Sequence, residues 1–211
     1  MPYPPIKLPS DVPLNVRVVV ELGIDPMLRE VHTMLSVVIP DPTYHLQSSI
    51  ANMLLAVISG ASSTLYAKEG TSIDQFTGLL IKHFPWDLDP PEGASPDIAA
   101  HILWEECRNP LAHRVGLRPK GGRIVKFGLV RGKTPDEVDA LAVSVTNPRL
   151  RSSLIVRSDA TVLWVDTLYW SIRRMIENMM LDRSVVLAAE NWMRKLGFMP
   201  QRLRKAPKEN K

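Results

Sequence analysis

The sequence predicts a mainly α protein: an up-and-down helical bundle with a small antiparallel β insertion. Three observations predict it. Apolar residues recur at three- and four-residue steps over residues 43–66, 72–84, 97–108 and 166–181, the period of a helix with one buried face. Several of these stretches open on a capping residue, and one of them, at Ser95-Pro96, carries proline at its first position, which is how helices start. Between about residues 117 and 165 the pattern changes to β-branched runs broken by turn residues, the signature of strands.

The chain of 211 residues is long enough for one domain with a real core. No apolar run approaches the ~18 residues that a membrane helix needs. The N-terminus, Met1-Pro2-Tyr3-Pro4-Pro5, lacks the basic-then-apolar pattern of a secretion signal. A single cysteine, Cys107, makes neither an intramolecular disulfide nor a zinc site alone. A reducing, cytoplasmic location is expected.

Residues 1–24 are expected to form a Pro-rich N-terminal arm, with five prolines in the first 13 positions that exclude helix there. Residues 15–23 fit a strand or a short helix, and periodicity does not decide. Asp25 is expected to cap the first helix, with Pro26 at its first position and Met27, Val31, Met34 and Leu35 on its inner face. The longest clean helix carries Leu46, Ile50, Met53, Leu54, Val57, Ile58, Ala61 and Leu65 as its stripe. The small residues Ser59, Gly60, Ala61 and Ser62 are expected to let a neighbouring helix approach. Thr71 or Ser72 caps the next helix, with Ile73, Phe76, Leu80 and Phe84 inward. Residues 85–94, with Asp87 and Asp89, are expected to be a surface loop.

Ser95 caps a helix with Pro96 at its first position and Ile98, Ala99, Ile102 and Leu103 as its stripe. Glu106 falls at the end of that stripe and Glu105 at its edge, with Arg108 opposite, near His101. A break is expected at Asn109-Pro110, because the residue before proline disfavours the α region. Asn109 then caps a short helix holding His113. Residues 123–130 fit a strand, and residues 134–141 a short helix capped by Thr134. Residues 152–157 and 161–165 flank a hairpin turn at Ser158-Asp159-Ala160. Asp166 is expected to cap a helix with Leu168, Ile172, Met175, Ile176 and Met179 inward. Asp182 caps the last, with Val185, Val186, Ala189, Met193 and Leu196, ending at Gly197. The main domain therefore spans residues 25–197, and residues 198–211 form a basic C-terminal tail.

Charge is unevenly spread. The net charge is +4, yet residues 108–133 hold eight Lys or Arg and no Asp or Glu, and residues 194–211 hold seven against Glu209. An acidic body with two basic segments suggests a polyanionic partner.

The segment Arg108-Asn109-Pro110-Leu111-Ala112-His113 resembles the Arg-x(4–6)-His signature of the HEPN (higher eukaryotes and prokaryotes nucleotide-binding) superfamily, in which Asn, Asp or His follows the arginine. The resemblance implies a helical bundle that dimerises with the motif at the dimer cleft. It implies a metal-independent RNA endonuclease, needing no cofactor, in a toxin–antitoxin or defence setting. RNA or a nucleotide would be the partner, and an antitoxin-like protein a further one. The alternative is an inactive module that binds nucleotide, nucleic acid or protein. In this reading Arg108 holds phosphate, His113 transfers protons, and Asn109 binds phosphate or orients His113. Glu105 and Glu106 support the site, and Arg114, Arg118, Lys120 and Arg123 bind nucleic acid. Some toxins of the family carry a modified tyrosine two residues after the histidine, but Val115 stands there, so regulation by that modification is not expected. His32, His45, His83 and His101 do not fall at metal-ligand spacings.

Overall fold

The structure is a computed structural model that describes residues 3–36, 46–113, 123–129 and 152–197. The expected helix over 134–141, residue 43 as the start of the long helix, and the tail over 198–211 lie outside the described residues. Among those described, no helix is long and apolar enough to cross a membrane.

The extended arm ends at Pro13, not at residue 24. Helix α1 (Leu14–Val19) follows directly, then a π-helical turn (Val20–Ile24) and α2 (Asp25–Ser36), with no interruption. Asp25 is therefore not a cap. It has helical φ and ψ of −61° and −41°, and its buried carboxylate accepts from the Tyr3 hydroxyl at 2.7 Å and the Ile6 N–H at 2.9 Å. The inner face of α2 is Leu28, Val31, His32 and Leu35, while Met27 and Met34 are only partly buried. A polar ring took the inner position because an aromatic cluster receives it: Tyr3, Tyr169 and Trp170 all lie against His32.

Helix α3 (Gln47–Thr64) is central. It packs on α2, on α4 (Ser72–His83) and on α7 (Val165–Leu181). Every expected stripe residue of α3 is buried or packed on the core. The hydroxyls of Ser59, Ser62, Ser63 and Thr64 bond back to carbonyls three or four residues earlier, which lets polar residues sit in a helix interior. Gly60 does not serve close packing, because a Cβ there would meet nothing within 4 Å. Thr71 caps α4 with a reciprocal Asp74 bond, and Phe76, Leu80 and Phe84 are buried as expected.

Helix α5 (Pro96–Ile102) leads into a second π-helical turn (Leu103–Arg108) and α6 (Asn109–His113). The sheet is mixed rather than antiparallel: β1 (Ile124–Gly128) pairs parallel with β3 (Ala160–Trp164), which pairs antiparallel with β2 (Leu154–Val156). The β2–β3 hairpin is the expected one. It shares the bundle's core through Leu154 and Leu163, as β1 does through Val125. At Gly128 a Cβ would lie 2.6 Å from the Trp164 ring of β3, so a larger residue there would have to displace that ring.

Strand β3 runs into α7 without a loop, so Trp164 is the N-cap position and Asp166 is a buried residue of the first turn, not the cap. The expected α7 stripe is fully buried. Asp182 caps α8 (Arg183–Lys195) by accepting from the Ser184 and Val185 amides. Gly197, at φ 72°, ends it. Two expected inner residues face solvent: Ile98 at 55% exposure and Leu196 at 55%.

The loop over residues 85–94 is not merely a surface loop. Asp89 is buried and accepts from the Ser153 N–H and the Ser171 hydroxyl, both at 2.7 Å. Gly93, at φ 81°, lets the loop press on β2, where a Cβ would lie 2.2 Å from the Val156 carbonyl oxygen. Burial pushes the Asp89 carboxyl above its ordinary value, and the Ser153 and Ser171 bonds oppose that only in part. A carboxyl raised on folding stabilises the fold below the ordinary carboxylate range and loses that contribution as pH rises through the folded value. Asp89→Asn, which keeps an acceptor without the charge, is expected to stay within about 1 kcal/mol of wild type at neutral pH, whereas Asp89→Ala loses about 1–3 kcal/mol. The Asn variant should gain on wild type as pH rises from 3 to 7. Urea unfolding of the three proteins at both pH values checks this, and a wild type that gains on Asp89→Asn over that interval would refute it.

Candidate functional site

The Arg108 segment lies on the fourth helical run among the described residues, after α1–α2, α3 and α4. Ser95 accepts the Ile98 N–H at 3.4 Å and Pro96 opens the helix. Ala99, Ala100, Ile102 and Leu103 then bury one face. The expected break at Asn109-Pro110 does not occur. Asn109 has helical φ and ψ of −62° and −48°, and the run continues to His113. A proline in a regular helix lacks its N–H and its ring meets the carbonyl four residues back. Here the turn before it is widened to π-helical geometry, with the Asn109 N–H bonded to the Trp104 carbonyl, five residues back. A π turn is the kind of bulge that absorbs such a misfit. The amide of Asn109 is thus already used, so no fresh helix N-terminus offers donors to an anion there.

The wide turn sets Arg108 over Trp104. Its guanidinium carbon lies 4.6 Å from the Trp104 ring centroid, a cation–π contact. Its Nε donates to Ser59 Oγ at 3.4 Å and its Nη1 to Asn109 Oδ1 at 3.4 Å. Ser59 in turn donates to the Leu55 carbonyl at 2.9 Å. Beneath Trp104 lies Phe76, with ring centroids 5.1 Å apart. Arg108 is therefore half-buried and braced by α3 and by its own helix.

The two carboxylates separate. Glu105 is exposed. Glu106 is buried, accepts from the Thr161 hydroxyl at 2.6 Å and pairs with Arg123. It clamps the helix to the sheet, on the side away from a solvent role. Arg123, expected to meet nucleic acid, is half-buried in this pair, with its side chain 31% exposed. Cys107 is fully buried, and burial, then the neighbouring Glu106 charge, pushes its thiol far above the usual range. It is inert as a nucleophile.

His113 ends α6, and its side chain lies outside what the structure describes. Arg114, Arg118 and Lys120 lie outside the described residues altogether. His83 is half-buried and edge-on to Tyr66, with ring centroids 5.9 Å apart; burial is the largest cause lowering its pKa. Among the described residues, no group of three His, Cys, Asp or Glu side chains is placed to hold a metal ion.

Three members of the cluster had no motif to announce them. Trp104 stands one helical turn before Arg108, a spacing at which side chains meet, so its contact was legible in principle. Ser59, 49 positions upstream of Arg108, and Thr161, 55 beyond Glu106, carry no such signal.

Fold and site together define a mainly helical protein with a small mixed sheet, in which a braced arginine stands five residues before a histidine on one helical run. No protein-family model matches the chain, and no curated protein or solved structure matches it.

Proposed function

We propose that this chain is a HEPN-like protein that cuts RNA without a metal, with Arg108 and His113 acting at a cleft between two copies. The observation that supports this most is the bracing of Arg108. Three neighbours fix a phosphate-binding cation on the same uninterrupted helix that carries His113. A pre-positioned guanidinium loses little freedom on meeting a phosphate and offers it a two-pronged contact.

In the proposed reaction the RNA 2′-hydroxyl attacks the adjacent phosphorus. His113 takes the hydroxyl proton, and the second copy's histidine protonates the leaving 5′-oxygen. Arg108 holds the non-bridging oxygens as charge builds on them. The products are a 2′,3′-cyclic phosphate and a 5′-hydroxyl. Asn109 acts by holding Arg108, and Glu106 by holding the helix on the sheet. A toxin or defence role, with an antitoxin-like partner, follows from the same resemblance.

The wild-type protein is expected to cut RNA in EDTA, and His113→Ala to lose on the order of 10²–10⁴-fold in rate. Gel analysis of RNA ends decides it: cutting that survives His113→Ala, or that needs added metal, refutes the mechanism. The second reading is a catalytically silent module that binds nucleotide, nucleic acid or a protein. It draws on Arg123 being neutralised by Glu106, which thins the positive surface beside the motif. A folded dimer that binds RNA without cutting it would favour that reading.

A further inference from the structure

An open groove of about 360 Å³ runs between the α1–α2 run and α3. Val18, Leu22 and Met27 line one side, and Ala56, Gly60 and Thr64 the other. The π-helical turn over Val20–Ile24 supplies the outermost of them, Leu22, which is 75% exposed. Such turns are frequent at functional sites. Gly23 and Gly60 both border the groove, and a Cβ at either would meet nothing within 4 Å. A side chain at either position would stand in open space.

This groove adjoins the Arg108 site. Ser59, which accepts from Arg108 Nε at 3.4 Å, directly precedes Gly60 of the groove. Successive helical residues point about 100° apart, so one flank of α3 faces the guanidinium and the next faces the groove. The exposed ridge between them is Ala56, Gly60 and Ser63, all too small to form a barrier. A cation and an apolar groove on adjoining flanks of one helix suit the two halves of a nucleotide, an anionic phosphate and a flat base. The size agrees: a cavity of about 150 Å³ holds one benzene ring, so this groove has room for a two-ring base. Among the described residues that line it, none is charged, and the Thr64 hydroxyl is turned to the Gly60 carbonyl at 2.6 Å. Such a lining grips a base by its faces, which every base has, rather than by its hydrogen-bonding edge.

We infer that the groove takes the base of a nucleotide next to the phosphate that Arg108 holds, and that Leu22 and Gly60 shape the space it enters. A base stacked and paired in a duplex is not free to enter a groove, so the ligand is a single strand. The inference rests on the reading above that Arg108 meets a phosphate, but not on cleavage. Binding is measured on a strand that cannot be cut, so the groove and the nuclease can fail separately.

The test is fluorescence anisotropy of full-length protein with a labelled oligoadenylate whose 2′-hydroxyls are methylated, which removes the attacking group. The comparison strand has the same length and phosphates but no bases. Wild type should bind the oligoadenylate roughly tenfold more tightly, the scale of one stacked base. Gly60→Leu fills the groove, enters open space and should lose that preference. Should it fold poorly by circular dichroism, Leu22→Ser decides the matter. It alters a side chain already 75% exposed and should reduce the preference several-fold. A wild type that binds neither strand, or both equally, overturns the inference, as does a preference undiminished in a folded Gly60→Leu or in Leu22→Ser. Cutting of unmodified RNA is read apart. Base-dependent binding without cutting refutes the nuclease and leaves the groove standing, and cutting without the base preference does the reverse.

Discussion

Arg108→Ala is expected to slow RNA cleavage by on the order of 10²–10³-fold, the usual cost of removing one donor aimed at a charged transition state. Its folding stability should change little by comparison. The guanidinium is half-buried, and its bonds to Ser59 and Asn109 are long, at 3.4 Å each. The informative variant is Arg108→Lys. Lysine keeps the charge but lacks the planar fork that stacks on Trp104 and reaches two oxygens at once. Most of the loss should therefore persist in Lys. Single-turnover cleavage in EDTA at saturating RNA measures both variants. A Lys variant cutting at the wild-type rate would show that charge alone is needed there and that the bracing by Trp104 and Ser59 is irrelevant to the reaction.

Trp104→Ala is expected to cost about 3–5 kcal/mol of stability, the range for deleting a large buried ring. Trp104 is 8% exposed and lies 5.1 Å from Phe76, so truncation opens a cavity between α4 and the Arg108 helix. That is a large share of the ~5–15 kcal/mol by which domains are stable. Trp104→Phe keeps an aromatic face under the guanidinium and should recover most of the loss. Urea unfolding, compared through midpoints and slopes, gives the numbers. A loss under about 1 kcal/mol for the Ala variant would mean that Trp104 is not the bridge between the core and Arg108.

Much of the fold was legible locally. Thr71, Ser95 and Asp182 cap helices where their side chains can reach an amide two or three residues on. Such short-range chemistry is visible in a window of a few residues. The stripes of α3 and α7 were legible for the same reason, since period 3.6 puts their apolar residues on one face. The hairpin at residues 158–160 was marked by turn residues between two β-branched runs.

The candidate site was legible only in part. Arg108, Asn109 and His113 stand in one short motif, and the structure keeps them on one helical run. The expected break failed because proline's misfit had a second outlet. Leu103 and Cys107 are buried within the turn before it, so the chain widened one turn and kept its packing rather than end the helix there. Local preference names the misfit; the surrounding contacts choose how it is relieved.

By itself the sequence determined the mainly helical class, the ends of the capped helices, the hairpin and the position of the Arg-to-His motif, because each depends on residues within a turn or two of one another. The tertiary structure alone decided what the buried carboxylates do. Asp25 reads locally as a helix cap, Asp89 as a surface-loop residue and Glu106 as the end of an apolar stripe, yet each is buried against donors 19, 64 and 55 positions away. A charge taken out of water is tolerated only where such partners meet it, and no local pattern records which distant segment supplies them. The same holds for Arg108, whose brace on Ser59 exists only once α3 and the motif helix have packed together.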